Sequence, residues 1–120
     1  MLQQGAVILD TQRRILVVTP VAEDLLGWRN DQVNGMGCAL VLDCQDAAGQ
    51  SMCGECGFEA ALERQEITPP KSVQVADPFG GRHELEMSFW YLPPAGSIGH
   101  PRLLAVMGAP AAPLEIQEAS

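Results

Sequence analysis

Outside one segment, residues 38–56, this chain has no cysteine, and it is poor in positive charge and in long apolar runs. Each scarcity excludes something. With 7 Lys and Arg against 15 Asp and Glu, the formal net charge is −8. Phosphate backbones and anionic lipid surfaces repel such a chain, so neither nucleic acid nor membrane is expected as a partner. No apolar stretch approaches the ~20 residues that span a bilayer. The N-terminus, MLQQGAVILD, has neither a basic region nor a small-residue cleavage site, which implies a cytoplasmic location. In that compartment clustered thiols serve more often as ligands or redox groups than as structural disulfides. No internal repeat is evident.

What is present is enough apolar material for a core. Of 120 residues, 47% are hydrophobic, which predicts one domain that folds without disulfides or metal. AVILD (6–10) and RILVV (14–18) flank the polar TQRR and read as a hairpin. TPVAEDLLGW reads as a helix with Thr19 as N-cap, Pro20 at its first position and Gly27 as its stop. Val21, Leu25 and Trp28 would form its apolar face. CALVLDC could hold one helical turn, QDAAGQSM reads as a loop, and a helix from Cys53 or Cys56 to about Gln65 would turn Phe58, Ala61 and Leu62 inward. Strands follow at 71–76, 82–91 and 102–108, with Leu85, Met87 and Phe89 on one face. The expected core also includes Val7, Leu16 and Leu62. Residues 110–120, with two prolines, are expected to form a mobile tail after a domain spanning 1–109. Two strands, helices, then three strands make an α+β chain: one five-stranded antiparallel sheet with the helices on one face.

The segment GAVILDTQRRILVVTPVAEDLLGWRNDQVNGM resembles the opening of the PAS domain family, carried by Asp10, Pro20, Ala22, Leu26, Gly27, Trp28 and Gly35. Thr19 stands where many members have Asn. The likeness covers about residues 5–109. It implies a sensing or protein-interaction domain of a signalling pathway, not an enzyme. It also implies a homodimer or a protein partner.

All four cysteines, Cys38, Cys44, Cys53 and Cys56, fall in CALVLDCQDAAGQSMCGEC. Three readings are open. Four thiolates can hold a tetrahedral metal centre, iron–sulfur cluster or zinc. Cys53 and Cys56 can form a redox pair, with a helix N-terminus favouring the thiolates. All four can be small buried hydrophobes, a reading that suits Cys38 beside ALVL better than it suits SMCGEC. On a continuous helix Cys38 and Cys44 would stand about 120° apart, so a four-cysteine site requires the chain to leave the helix near VLDCQD and fold back. The resemblance to cysteine-bearing PAS sensors favours the iron–sulfur cluster, although the C-x5-C-x8-C-x2-C spacing departs from their paired arrangement. Cys38 also resembles the reactive cysteine of flavin-binding PAS photosensors, but Gly37 and Ala39 replace their flanking Asn and Arg, so no flavin adduct is expected. The function expected is therefore redox or oxygen sensing through Cys38, Cys44, Cys53 and Cys56. The alternative is a cofactor-free dimerisation module acting through its outer sheet face. A thiol oxidoreductase is disfavoured, because Cys53 and Cys56 do not follow a strand in a βαβ unit.

Overall fold

A computed structural model describes residues 4–52, 56–95 and 99–109. Its elements are β1 (Gln4–Leu9), β2 (Ile15–Val18), α1 (Pro20–Leu26), α2 (Asn30–Val33), α3 (Cys38–Leu42), α4 (Phe58–Arg64), β3 (Lys71–Ala76), β4 (Arg82–Leu92) and β5 (Arg102–Gly108). The strands form one antiparallel sheet in the order β2-β1-β5-β4-β3. The α+β architecture read from the sequence is thus the architecture found. The expected tail at 110–120 lies outside the described residues.

Alternation decides the core. Val7 and Leu9 on β1, Leu85, Met87 and Phe89 on β4, and Leu103, Ala105 and Met107 on β5 point to the same buried face. The helices cover that face: α1 packs on β1, α2 on β2, α3 on β3, and α4 on β4 and β5. Two expected core residues need correction. Leu62 is only half-buried at the margin of the core. Leu16 is the extra residue of a β-bulge: Ile8 pairs with Val17 and Leu9 with Ile15, so Leu16 has no partner and leaves the inner face to Ile15 and Val18. His83 shares a face with Leu85 yet is exposed, because β5 pairs with β4 only from Glu86 onward.

Helix α1 buries a different stripe from the one expected. Ala22 and Leu26 are the buried pair, while Leu25 and Trp28 pack beside them. Gly5 is the reason: a Cβ there would stand 2.4 Å from the Ala22 backbone nitrogen. Strand and helix touch backbone to backbone, and the smallest side chain of α1 faces the contact. Thr19 precedes the helix as expected, but its hydroxyl does not cap it. The oxygen accepts from the Ala6 N–H at 2.9 Å, tying the helix start to β1. Gly27 ends the helix in the left-handed region (φ 80°), and Trp28 donates its indole N–H to the Ala76 carbonyl at 2.9 Å.

Three tight turns are built alike: DTQRR (10–14), DAAGQ (46–50) and DPFGG (77–81). In each, the Asp Oδ1 accepts from the N–H groups two and four residues on, at 2.8–2.9 Å. In each, the first N–H also donates to the carbonyl four residues on. The fourth residue is left-handed every time: Arg13 (φ 67°), Gly49 (φ 85°) and Gly80 (φ 87°). This is a type I turn closed by a left-handed residue, a common three-residue hairpin connection that favours glycine at its last position.

Candidate functional site

The cysteine segment is pinned at both edges of the sheet. On one side, the Cys38 N–H donates to the Arg13 carbonyl at 2.7 Å, and the Ile15 N–H to the Met36 carbonyl at 2.8 Å. Cys38 is therefore zipped to the turn joining β1 and β2. Helix α3 then ends at Leu42, because Asp43 takes the left-handed conformation (φ 43°). Arg82 fixes that end, reaching the Asp43 carboxylate at 2.7 Å and its carbonyl at 2.9 Å. The chain leaves the helix where a four-cysteine site requires it to.

On the other side, Gln45 pairs with Gln74 of β3 through two backbone hydrogen bonds of 2.9 and 2.8 Å. Cys44, 5% exposed, is buried just before that pairing. The Asp46 turn folds the chain back, so that the Met52 N–H donates to the Cys44 carbonyl at 2.8 Å. Cys56, 8% exposed, is buried ahead of α4. It is not part of that helix. Gly57 stands between them at φ 111° and begins the helix at Phe58, so the expected start at Cys53 or Cys56 is too early.

The residue linking these parts is one that the sequence reading passed over. Arg13 places its guanidinium 4.5 Å from the Phe58 ring centroid and pairs with Glu59 at 2.9 Å. Its side chain is 24% exposed. Burial works against the Arg13 charge, but the Glu59 hydrogen bond and the charges of Cys56, Glu59 and Cys38 outweigh it, so its pKa is raised. Arg13 thus joins the β1–β2 turn to Cys38 through its backbone and to the Cys56–Glu59 stretch through its side chain. Phe58 in turn meets Phe89 edge-on, with ring centroids 6.0 Å apart.

No disulfide joins Cys38, Cys44 and Cys56 to one another. Among the described residues, no three of His, Cys, Asp and Glu stand together closely enough to hold a metal ion. The expected convergence of all four cysteines includes Cys53, which lies outside the described residues. The histidines stand apart: His83 pairs with Asp77 at 3.0 Å, and His100 lines an open polar cleft of about 390 Å³ with Asp10, Arg14 and Arg102.

This architecture has close counterparts among solved structures. The PAS domain of nitrogen regulation protein NR(II) from Vibrio parahaemolyticus superposes with a TM-score of 0.66 at 17% identity, over 87% of this chain and 86% of that one. The chain has the PAS fold. A PAS domain from Colwellia psychrerythraea gives 0.67 at 15% identity, over 87% and 83% of the two chains. The LOV domain of the blue-light photoreceptor Aureochrome1, in its light state, gives 0.68 at 16% identity, over 98% and 91%. No family model matches the sequence, and no curated protein does. Within the PAS fold of this chain, the resemblance noted in the sequence has structural roles. Asp10 builds the first turn, Ala22 meets Gly5, Gly27 ends α1, and Trp28 bridges to β3.

Proposed function

We propose that this chain is a PAS sensor module of a cytoplasmic signalling pathway, not an enzyme, and that its cysteine segment responds to redox state. The observation that carries this reading is Arg13 of the first hairpin, whose carbonyl accepts from the Cys38 N–H and whose guanidinium lies over Phe58, two residues after the buried Cys56. The thiolate is the nucleophilic form of a cysteine. In reaction with a peroxide, a thiolate sulfur attacks one oxygen, the O–O bond breaks and hydroxide leaves, giving a sulfenic acid. A second thiolate then attacks that sulfur, an S–S bond forms and hydroxide leaves again. Two thiols lose two electrons and the peroxide gains them. Oxidation repacks Cys38, which is hydrogen-bonded to the β1–β2 turn, and Cys56, which precedes α4, and so shifts the turn against that helix.

The test is anaerobic purification followed by absorption spectroscopy, metal analysis and titration with hydrogen peroxide. Colourless, metal-free protein whose thiols disappear with a change in the amide spectrum supports thiol sensing. Brown protein with iron, or colourless protein with stoichiometric zinc, transfers the sensing role to a centre held by Cys38, Cys44, Cys53 and Cys56. Metal-free protein with unreactive thiols, or a yellow flavoprotein, overturns the reading.

A second reading has its own observation. Cross-strand pairing places Val17, Ile8, Leu104, Trp90 and Ile67 in one row across the outer face of the sheet. Val17, Trp90 and Ile67 are exposed, Ile67 by 60%. Facing side chains in such a row act together, and a contiguous apolar strip of this kind suits an interface. We propose that it pairs two copies of the chain. Sedimentation should give a dimer at micromolar concentration, and Trp90→Ala with Ile67→Ser should give a monomer; a monomeric parent protein contradicts the proposal.

A further inference from the structure

We infer that the cleft between the β1–β2 turn and the start of β5 binds a small organic anion, and that Arg102 holds the anion's carboxylate or phosphate group. The inference goes beyond the redox reading and does not depend on it, since no cysteine lines this cleft.

The sheet register builds the cleft. Leu9 pairs with Ile15 of β2 and with Leu103 of β5, and all three are buried. Side chains alternate along a strand, so the chain neighbours Asp10, Arg14 and Arg102 fall on the opposite face. Leu16, turned from the core at the bulge, joins them. With His100 and Pro101 they line an open space of about 390 Å³. Small-molecule sites run from roughly 300 to 1,000 Å³, so a small ligand fits.

Charge decides what the cleft would take. The chain carries a formal net charge of −8, and acid partners are plentiful. Arg13 pairs with Glu59, Arg14 with Asp10, Arg29 with Asp31, Arg64 with Glu66 and Arg82 with Asp43. Among the described residues, Arg102 is the one arginine with no carboxylate partner. Its guanidinium donates to the neighbouring Pro101 carbonyl at 3.1 Å, which leaves most of its donors without a protein acceptor. Asp10 is already committed: one oxygen accepts from the Gln12 and Arg14 N–H groups at 2.8 and 2.9 Å, the other from Arg14 Nε at 3.0 Å. Arg14 and Asp10 cancel, so the cleft keeps the positive charge of a half-buried Arg102. A guanidinium presents a planar fork that matches a carboxylate or phosphate. Leu16 and Pro101 offer apolar contact to a short carbon body, and the Thr11 hydroxyl adds a donor. The cleft therefore suits a small organic acid or phosphate ester.

The probes are succinate and methyl phosphate, titrated into the intact, reduced chain at constant ionic strength against sodium chloride, with amide chemical shifts as the readout. At least one probe should move the amides of residues 10–14 and 100–103 along a saturating curve. Tighter binding of succinate assigns the site to carboxylates, and tighter binding of methyl phosphate assigns it to phosphoryl groups. Arg102→Gln should weaken binding by about tenfold or more, the worth of a hydrogen bond to a charged group. Arg102→Lys should fall between, because it keeps the charge and loses the fork. Arg64→Gln removes the same charge from an exposed side chain at the end of α4, and should leave binding within about twofold of the parent. Shifts that fail to saturate with both probes, or equal weakening by Arg102→Gln and Arg64→Gln, overturn the inference. If Arg102→Gln does not fold, Arg102→Lys decides: weaker binding than the parent supports the inference, and unchanged binding overturns it. The thiols stay reduced throughout, so neither result bears on the redox reading, which fails separately when the thiols survive peroxide.

Discussion

The turns at Asp10 and Asp77 share a hydrogen-bond pattern but are put to different use. In both, an aspartate caps the bend from inside and the fourth residue is left-handed. At Asp77 that residue is Gly80, nothing lies within 4 Å of where its Cβ would be, and the neighbouring Phe79 is 89% exposed. At Asp10 it is Arg13, whose side chain packs on a core phenylalanine and an acidic partner. One turn only connects strands. The other connects strands to the cysteine segment. The same local backbone can thus be a plain joint or a contact point, depending on one side chain.

The strongest way to break the comparison is at the aromatic residue beside or within each turn. Phe58 is 2% exposed, and Phe58→Ala should cost about 3–5 kcal/mol in denaturant unfolding. Phe89→Ala, its edge-on partner, should cost a similar ~3–5 kcal/mol. Phe79→Ala should stay within about 0.5 kcal/mol of the parent, as surface changes do. A large loss at Phe79, or a loss below about 1 kcal/mol at Phe58, would erase the distinction.

The left-handed positions sharpen it next. Gly80→Ala should cost about 1 kcal/mol or more, since it introduces a Cβ at φ 87°. Arg13→Gly should change stability by less than about 1 kcal/mol, because strain relief offsets the lost ion pair and ring contact. An Arg13→Gly variant that gains as much stability as Gly80→Ala loses would mean that the Arg13 contacts stabilise nothing.

The smallest effect is the one the turns share. Burial alone would raise the Asp10 pKa, but the N–H groups of Arg14 and Gln12 and the Arg14 guanidinium lower it overall. The N–H groups of Gly81 and Phe79 lower that of Asp77, with help from His83. A depressed folded-state pKa contributes stability that is fully present above the unfolded value, about 3.9, and is lost as pH falls through the lower folded value. Asp10→Ala and Asp77→Ala should therefore lower the unfolding midpoint at pH 7, and much of that deficit should vanish near pH 2. Deficits that persist undiminished in acid would assign the turns' stability to something other than the ionised carboxylates.

Much of this fold is legible in the sequence, because strand alternation and helix punctuation are local signals. HELEMSFWYL shows its buried face, and Pro20 and Gly27 bracket α1. What is not legible depends on pairing. Leu16 looks like a core residue until the bulge at Ile8–Leu9 excludes it. Val21 looks like the helix seam until Gly5 draws Ala22 inward. The break after α3 and the fold-back at Asp46 are visible as Asp and Gly in the cysteine segment, although the turn is fixed by the Asp46 carboxylate and not by looseness. Arg13 escaped notice because TQRR reads as a polar turn and nothing else. Its one signal is a comparison within the chain: DTQRR has arginine where DAAGQ and DPFGG have glycine. Its partners Phe58 and Glu59 lie more than forty positions away, a distance that composition and periodicity do not cross.

The proposal most in need of a test is that the cysteine segment senses oxidants and passes the change to the β1–β2 turn. The most direct measurement is the rate at which peroxide consumes each cysteine in the folded protein, resolved by mass spectrometry, with amide spectra recorded on the same samples. The account predicts that peroxide consumes thiols of the segment in the folded protein, and that the first amides to shift belong to residues 10–15 and the start of α4. Thiols that survive peroxide, or oxidation that leaves the β1–β2 turn unchanged, would contradict it.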